Sequence, residues 1–340
     1  MFFVLAGLFL PGSILSLFGA EGEVYAMART YLQVILLFAP AFLLNNVLLC
    51  FVRNDGAPQL SMAAMLGGSL SNVVLDWVFI FPCKMGIFGA VFATGLAPII
   101  SMLILSVHFF KRKNGFRAVA CPPSGKLAGG VLSSGVPSLV TEVSSGVVMI
   151  VFNAILMNLE GNVGVAAYGV IANLSLVVIA IYTGLAQGVQ PILSSGYGSG
   201  NLKNVNAVLR YALWSMLIFS VLLYIGVFFG ASSITSIFNS EQNERLQSIA
   251  TQGLRLYFTA CPFAGFNILM AMYFTSTERT RPAHLLSLLR GFFVIIPMAF
   301  ALAAIGGIQG VWCAFPATEL LVAGIGLALF ATGRRRADKA

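Results

Sequence analysis

Charge is what this chain lacks most. Only 9% of its 340 residues are Asp, Glu, Lys or Arg, where a soluble domain carries about a quarter, and that excludes a soluble globular enzyme. Histidine is nearly absent, with only His108 and His284, and the five cysteines (Cys50, Cys83, Cys121, Cys261 and Cys313) are dispersed with no CxxC pair. Neither a metal site nor a disulfide framework is indicated, and the thiols read as small packing residues. No HExxH motif and no nucleophile paired with a base is found, so an intramembrane hydrolase is not indicated. Gly196-Tyr-Gly198-Ser-Gly200 is spaced GxGxG rather than GxGxxG and closes an apolar span instead of a strand; it reads as a loop. Asn173-Leu-Ser175 has the form of a glycosylation sequon, yet it lies inside a span.

What the chain has is hydrocarbon. Hydrophobic residues make up 59% of it, and the mean hydropathy is +0.93. Inside a bilayer every backbone N–H and C=O must be satisfied within the segment or in a closed barrel. Barrel strands run about ten residues with alternating polarity; the runs here are about twice as long and continuously apolar, so they predict helices. Ten spans are expected, at 1–18, 31–53, 60–82, 86–110, 127–158, 163–192, 206–230, 249–274, 282–304 and 308–332. Proline recurs within them (Pro40, Pro98, Pro137, Pro191, Pro262, Pro297 and Pro316) and predicts kinks.

The net charge of +8 resides in short loops and does not imply nucleic-acid binding. Lys111, Arg112, Lys113, Arg117 and Lys126 fill one loop, Arg279 and Arg281 another, and Arg334, Arg335, Arg336 and Lys339 the tail. The alternate loops hold Glu21, Glu23, Glu160, Glu241 and Glu244. Basic loops stay cytoplasmic, which places both ends of the chain on that side of the membrane. The chain also repeats itself. Gly86-Ile-Phe-Gly89 returns 221 residues later as Gly307-Ile-Gln-Gly310; Pro40 with Asn45 returns as Pro262 with Asn267; Leu17-Phe18 returns as Ile237-Phe238; Phe51 to Pro58 parallels Phe274 to Pro282. An offset of six helices preserves orientation, so the expected architecture is two lobes related by a parallel repeat, with a cleft between them. Residues 1–118 form the first lobe with its basic linker, and residues 119–340 form the second lobe and tail. The first lobe has four spans and the second six, so symmetry predicts two further helices before Met1.

Only three acids, Asp76, Glu142 and Glu319, fall within spans. Each costs roughly 2.5–3.5 kcal/mol at mid-membrane on insertion scales and marks a cavity or relay by default. Asp76 follows Asn72 by one helical turn, so both share a face, and Thr94 on the next helix can meet them. A carboxylate, an amide oxygen and a hydroxyl suit a hard cation such as Na⁺, or a proton; the plainer alternative is an acid near a helix end that reaches interfacial water. Glu142, within Pro137-Ser-Leu-Val-Thr-Glu142, can exchange a proton or meet a cationic substrate, or be a hydrogen-bonded structural acid. Glu319 can do the same, or secure packing beside Pro316. Asn45, Asn153, Asn173, Gln187, Gln190 and Asn267 are candidates for a cavity lining or for helix–helix hydrogen bonds.

Asn72-Val-Val-Leu-Asp76 followed by Gly86-Ile-Phe-Gly89-Ala-Val-Phe-Ala-Thr94 resembles the fifth and sixth helices of the MATE (multidrug and toxic compound extrusion) family. Gly184-Leu-Ala-Gln-Gly188-Val-Gln-Pro191 with Tyr197-Gly198 is similar to its eighth helix and following loop. Gly310-Val-Trp312 with Pro316 and Glu319 is similar to the last helix of one bacterial branch. The resemblance implies an all-α bundle with ten of twelve helices present, and no enzyme. It implies a monomeric, multi-pass protein of the bacterial inner membrane that exports organic cations in exchange for H⁺ or Na⁺, with no other cofactor. Asn72, Asp76 and Thr94 match the family's first-lobe cation site, and Glu142 matches the acidic position of its seventh helix. The first-helix aspartate has no counterpart here, and span 249–274 lacks an acid found in some relatives. The alternatives are a non-functional truncated transporter and a lipid-linked oligosaccharide flippase of the same superfamily. The flippase's pyrophosphate substrate demands several arginines, and only Arg255 and Arg290 lie clearly inside spans, Arg53 and Arg210 standing at span ends.

Overall fold

A computed structural model describes residues 2–17, 22–110, 114–116, 122, 124–240 and 242–337. The chain divides into two compact units, Met1–Cys121 and Pro122–Ala340. Helices are the only regular structure among the described residues.

The first unit comprises α1 (Phe2–Phe9), α2 (Pro11–Leu17), α3 (Gly22–Leu37), α4 (Ala39–Asn54), α5 (Pro58–Ile80) and α6 (Gly86–Phe110). The expected span 1–18 is broken: Leu10 bends the chain, and Pro11, with no N–H to give, starts a new helix. The span expected at 31–53 is likewise two helices, Tyr25–Leu37 and Ala39–Asn54, bent by 47°. Pro40 sits in the first turn of α4, where its missing N–H has no helical partner to lose. Leu49, Val52, Ala64 and Leu105 form this unit's buried core.

The second unit comprises α7 (Gly125–Gly198), α8 (Leu202–Phe238), α9 (Glu244–Tyr257), a 3₁₀ turn (Phe258–Ala260), α10 (Cys261–Ser276), α11 (Thr280–Leu288), a π turn (Leu289–Phe293) and α12 (Ile295–Ala337). Neither α7 nor α12 is one straight rod. Gly161 (φ 61°) interrupts α7, and the Phe152 and Tyr168 rings on either side stack at 5.3 Å. Sixteen residues of straight helix would hold them about 24 Å apart, so the chain reverses at Gly161. It reverses again at Gly307 (φ 55°) within α12. Trp312, Tyr182, Phe152 and Phe274 are the largest side chains wholly enclosed in this unit. In lipid such packing works through close contact rather than water exclusion, and the outward faces stay greasy, as at Phe229, which is 78% exposed.

Six of these helical stretches are long and apolar enough to cross a membrane, and the bent pair α3–α4 makes a seventh. Since α7 and α12 each fold back, these stretches give nine candidate crossings among the described residues, and the broken segment 2–17 stands where a tenth is expected. The helices overrun the expected spans, as with α8 at Leu202–Phe238, because polar flanks continue the helix beyond the hydrocarbon.

The repeat is built into the backbone. Gly86 and Gly307 both take positive φ, 56° and 55°, a conformation nearly reserved for glycine. Three residues on, Gly89 and Gly310 lie against the helix just completed: a Cβ at Gly89 would press on Phe79, and one at Gly310 on the Leu302 carbonyl. Pro262, like Pro40, opens a helix just after a break. Pro297 likewise lies in the first turn of α12, just after the π turn, and at Pro98, Pro137, Pro191 and Pro316 the helix runs on. Lys111, Arg112, Lys113, Arg117, Cys121, Lys339, Phe18, Glu21 and Glu241 lie outside the described residues, as do the side chains of Leu17, Glu23, Arg334, Arg335 and Arg336.

Candidate functional site

In the first unit the α5–α6 hairpin, closed by Gly86, brings Asn72 to Thr94. The Asn72 amide Nδ2 donates to Thr94 Oγ1 at 3.5 Å, and Thr94 Oγ1 in turn donates to the Ala90 carbonyl at 3.0 Å. Asp76 lies one turn along from Asn72. Its Oδ1 is enclosed and has no hydrogen-bond partner among the described residues, and the same holds for Asn45 Oδ1 on α4. A buried acceptor left unmet costs about 1–3 kcal/mol, and more when charged. The structure thus joins Asn72 to Thr94 and leaves one oxygen of Asp76, a turn along the same helix, without a partner among the described residues. A carboxylate, an amide oxygen and a hydroxyl are hard oxygen donors of the kind that suit Na⁺ or a proton.

The second unit treats its acid differently. Glu319 on α12 is wholly buried, and both oxygens are engaged. Arg290 Nε donates to Oε1 at 2.5 Å. Asn267 Nδ2 on α10 donates to Oε2 at 2.7 Å and also to the Glu319 carbonyl at 2.9 Å. Arg290 belongs to the π turn, and the next residue, Gly291, lies against Ser144 on the first leg of α7. Glu142 precedes Ser144 by two residues, about 200° around the helix, so it points away from this cluster and is exposed. Asn153 is half-buried on the first leg, and Gln187 is half-buried and partnered on the second. Asn173 is exposed, and its Nδ2 is spent on the Gly169 carbonyl at 2.8 Å.

Sequence reasoning named Arg290, Asn267 and Glu319 separately but not as a unit. The signal was present, since one cation and one acid inside the membrane call for each other. It also missed Asp55, between α4 and α5, which accepts from Gly115 N–H at 2.7 Å and pairs with His108 Nε2 at 2.9 Å. These two contacts, the histidine's first, hold its carboxyl below the usual value of 3.8.

Paired apolar hairpins, a repeated backbone and a carboxylate oxygen without a partner within an apolar helix mark a polytopic membrane protein. The MatE family model matches residues 1–78 and 137–301. The multidrug export protein MepA of Staphylococcus aureus (strain bovine RF122 / ET3-1) is 27% identical over 322 residues, covering 94% of this chain and 70% of that protein. The MepA of Staphylococcus saprophyticus is 28% identical over 311 residues, or 91% and 68%. Among solved structures, a MOP-superfamily transporter from Pyrococcus furiosus superposes with a TM-score of 0.88 at 23% identity, covering 98% of this chain and 75% of that one. An outward-facing MATE-family multidrug resistance transporter gives the same TM-score, identity and coverage. The chain belongs to the MatE family, as its motifs implied; it is a membrane transporter and not an enzyme.

Proposed function

We propose that this protein is a cation-coupled exporter of organic cations. Asp76 exchanges the coupling ion, H⁺ or Na⁺, with Asn72 and Thr94 beside it, and Glu142 attracts the positively charged substrate. The observation that carries this reading is the enclosed, unmet Asp76 Oδ1 beside the Asn72–Thr94 pair. A transporter must bind its coupling ion differently in its two states, and an acid already satisfied by the protein has little left to give an ion. Glu319 is such an acid, and we read it as a pin within the second unit. The name of the MepA relatives, multidrug export protein, supports drug export; that the drugs are cations is our reading from the family resemblance and from Glu142. The flippase alternative is disfavoured. A pyrophosphate carrier needs several guanidinium groups together, whereas Arg290 is neutralised by Glu319, leaving Arg255 alone. The basic loops favour a C-terminus in the cytoplasm, and the family resemblance suggests a monomer in a bacterial plasma membrane.

The test is efflux of a fluorescent organic cation from proteoliposomes, with H⁺ and Na⁺ gradients imposed one at a time. One of the two should drive release. No response to either would remove the coupling assignment.

A further inference from the structure

The second unit holds a polar groove that the proposed mechanism does not use. The end of α8 and the polar face of α9 enclose a cavity of about 850 Å³, open on one side, whose lining residues are all polar. Ser248, Thr251, Gln252 and Arg255 succeed one another along α9 at helical spacing, so they form one stripe. At the inner end Arg255 lies across the Phe228 ring at 5.1 Å and donates from Nε to the Phe228 carbonyl at 3.3 Å. That contact fixes the guanidinium, while its side chain stays exposed to the groove. Glu244 is three turns away, about 16 Å along the axis, and does not neutralise it. Arg245 is committed to Glu160.

Depth supplies the second observation. Phe228 stands eight residues from Ser220, the midpoint of α8, or about 12 Å. A hydrocarbon core centred on α8 reaches about 15 Å to either side, which would put the guanidinium just under its boundary. From Phe229 (78% exposed), level with this contact, an outward apolar stripe runs deeper along α8 through Ile225 (47%), Leu222 (60%) and Ile218 (57%). From mouth to midplane the order is hydroxyls and amides, one fixed cation, then an exposed aliphatic and aromatic stripe. A glycerophospholipid with an anionic, hydroxylated headgroup has the same order.

We infer that the α8–α9 groove binds such a lipid, with its phosphate on Arg255, its headgroup hydroxyls toward Gln252 and Ser248, and its acyl chains along α8. The site depends on membrane embedding and not on drug export. Native mass spectrometry of the delipidated full chain tests it, with phosphatidylglycerol, phosphatidylcholine and glycerol 3-phosphate as probes. Phosphatidylglycerol should bind at least fivefold more tightly than phosphatidylcholine, and Arg255→Gln should abolish the difference. Equimolar glycerol 3-phosphate should leave the lipid adduct in place. A preference that survives Arg255→Gln overturns the site, and full displacement by glycerol 3-phosphate makes it one for soluble phosphate esters instead. If Arg255→Gln does not fold, Gln252→Leu decides, because it leaves the bond to Phe228 intact. A threefold or greater loss of phosphatidylglycerol affinity is expected, and an unchanged affinity refutes the inference.

Discussion

Glu319→Gln should be among the most damaging single substitutions in the second unit, for a reason that a second change can undo. The wild-type carboxylate is wholly buried and accepts from both Arg290 and Asn267. Glutamine keeps one acceptor oxygen but turns an N–H₂ toward the other donor, and it strands the Arg290 charge. Removing one member of a buried ion pair costs about 3–5 kcal/mol. For a unit spanning Pro122–Ala340, at about 2–4 °C per kcal/mol, the melting temperature should fall by roughly 6–20 °C. Arg290→Met should cost a similar amount, because it strands the carboxylate. The double variant Arg290→Met with Glu319→Gln removes both charges at similar volume, and the Asn267 bond to the residue 319 carbonyl survives. It should recover to within about 2 kcal/mol of the parent, giving a coupling energy of at least about 4 kcal/mol. Thermal melting in detergent, followed by unmasking of the buried Cys261, reads all four proteins. Additive losses in the double variant, or a Glu319→Gln protein melting within about 2 °C of the parent, would refute the pin.

Gly310→Ala should cost about 1–3 kcal/mol or prevent folding, since its Cβ meets the rigid Leu302 carbonyl; Gly306→Ala, with open space around it, should melt like the parent. The Asp55 contacts should weaken only in acid. A carboxyl held below its ordinary value contributes its full stability above about pH 4 and loses it as pH falls through the lowered native value. Exchange protection of the Gly115 amide should therefore be level from pH 7 to about pH 5 and drop below about pH 4, whereas Asp55→Ala should lose it throughout. Glu142→Gln should weaken binding of a fluorescent organic cation on the order of fivefold, by anisotropy, because an exposed charge contributes about 1 kcal/mol; unchanged binding would remove Glu142 from the substrate path.

Much of the fold was legible because a bilayer permits few alternatives: long apolar runs had to be helices, and the Gly86–Gly89 and Gly307–Gly310 pairs announced a repeat that their matching backbone angles carry. The break before Pro40 and the bend at Leu10 were less so, because a proline marks where a helix can start without fixing how far the preceding one turns. Asn72 and Asp76 could be placed on one face from a four-residue spacing alone, and Thr94 followed from the tight turn between α5 and α6. The Arg290–Glu319–Asn267 cluster joins three helices across 52 residues, and helical periodicity carries no information about which distant faces meet. Asp55 and His108 hid for the same reason, 53 residues apart at one end of the first unit.

The central claim is that Asp76 carries the coupling ion, and Asp76→Asn tests it most directly. The amide keeps size and hydrogen bonding but can hold neither a negative charge nor an exchangeable acidic proton. With reconstitution matched to the parent, the account predicts that the variant still binds the fluorescent cation yet shows no efflux above the gradient-free rate under either an H⁺ or a Na⁺ gradient. Gradient-driven efflux at the parental rate from the Asp76→Asn protein would contradict it and leave Asp76 a packing residue.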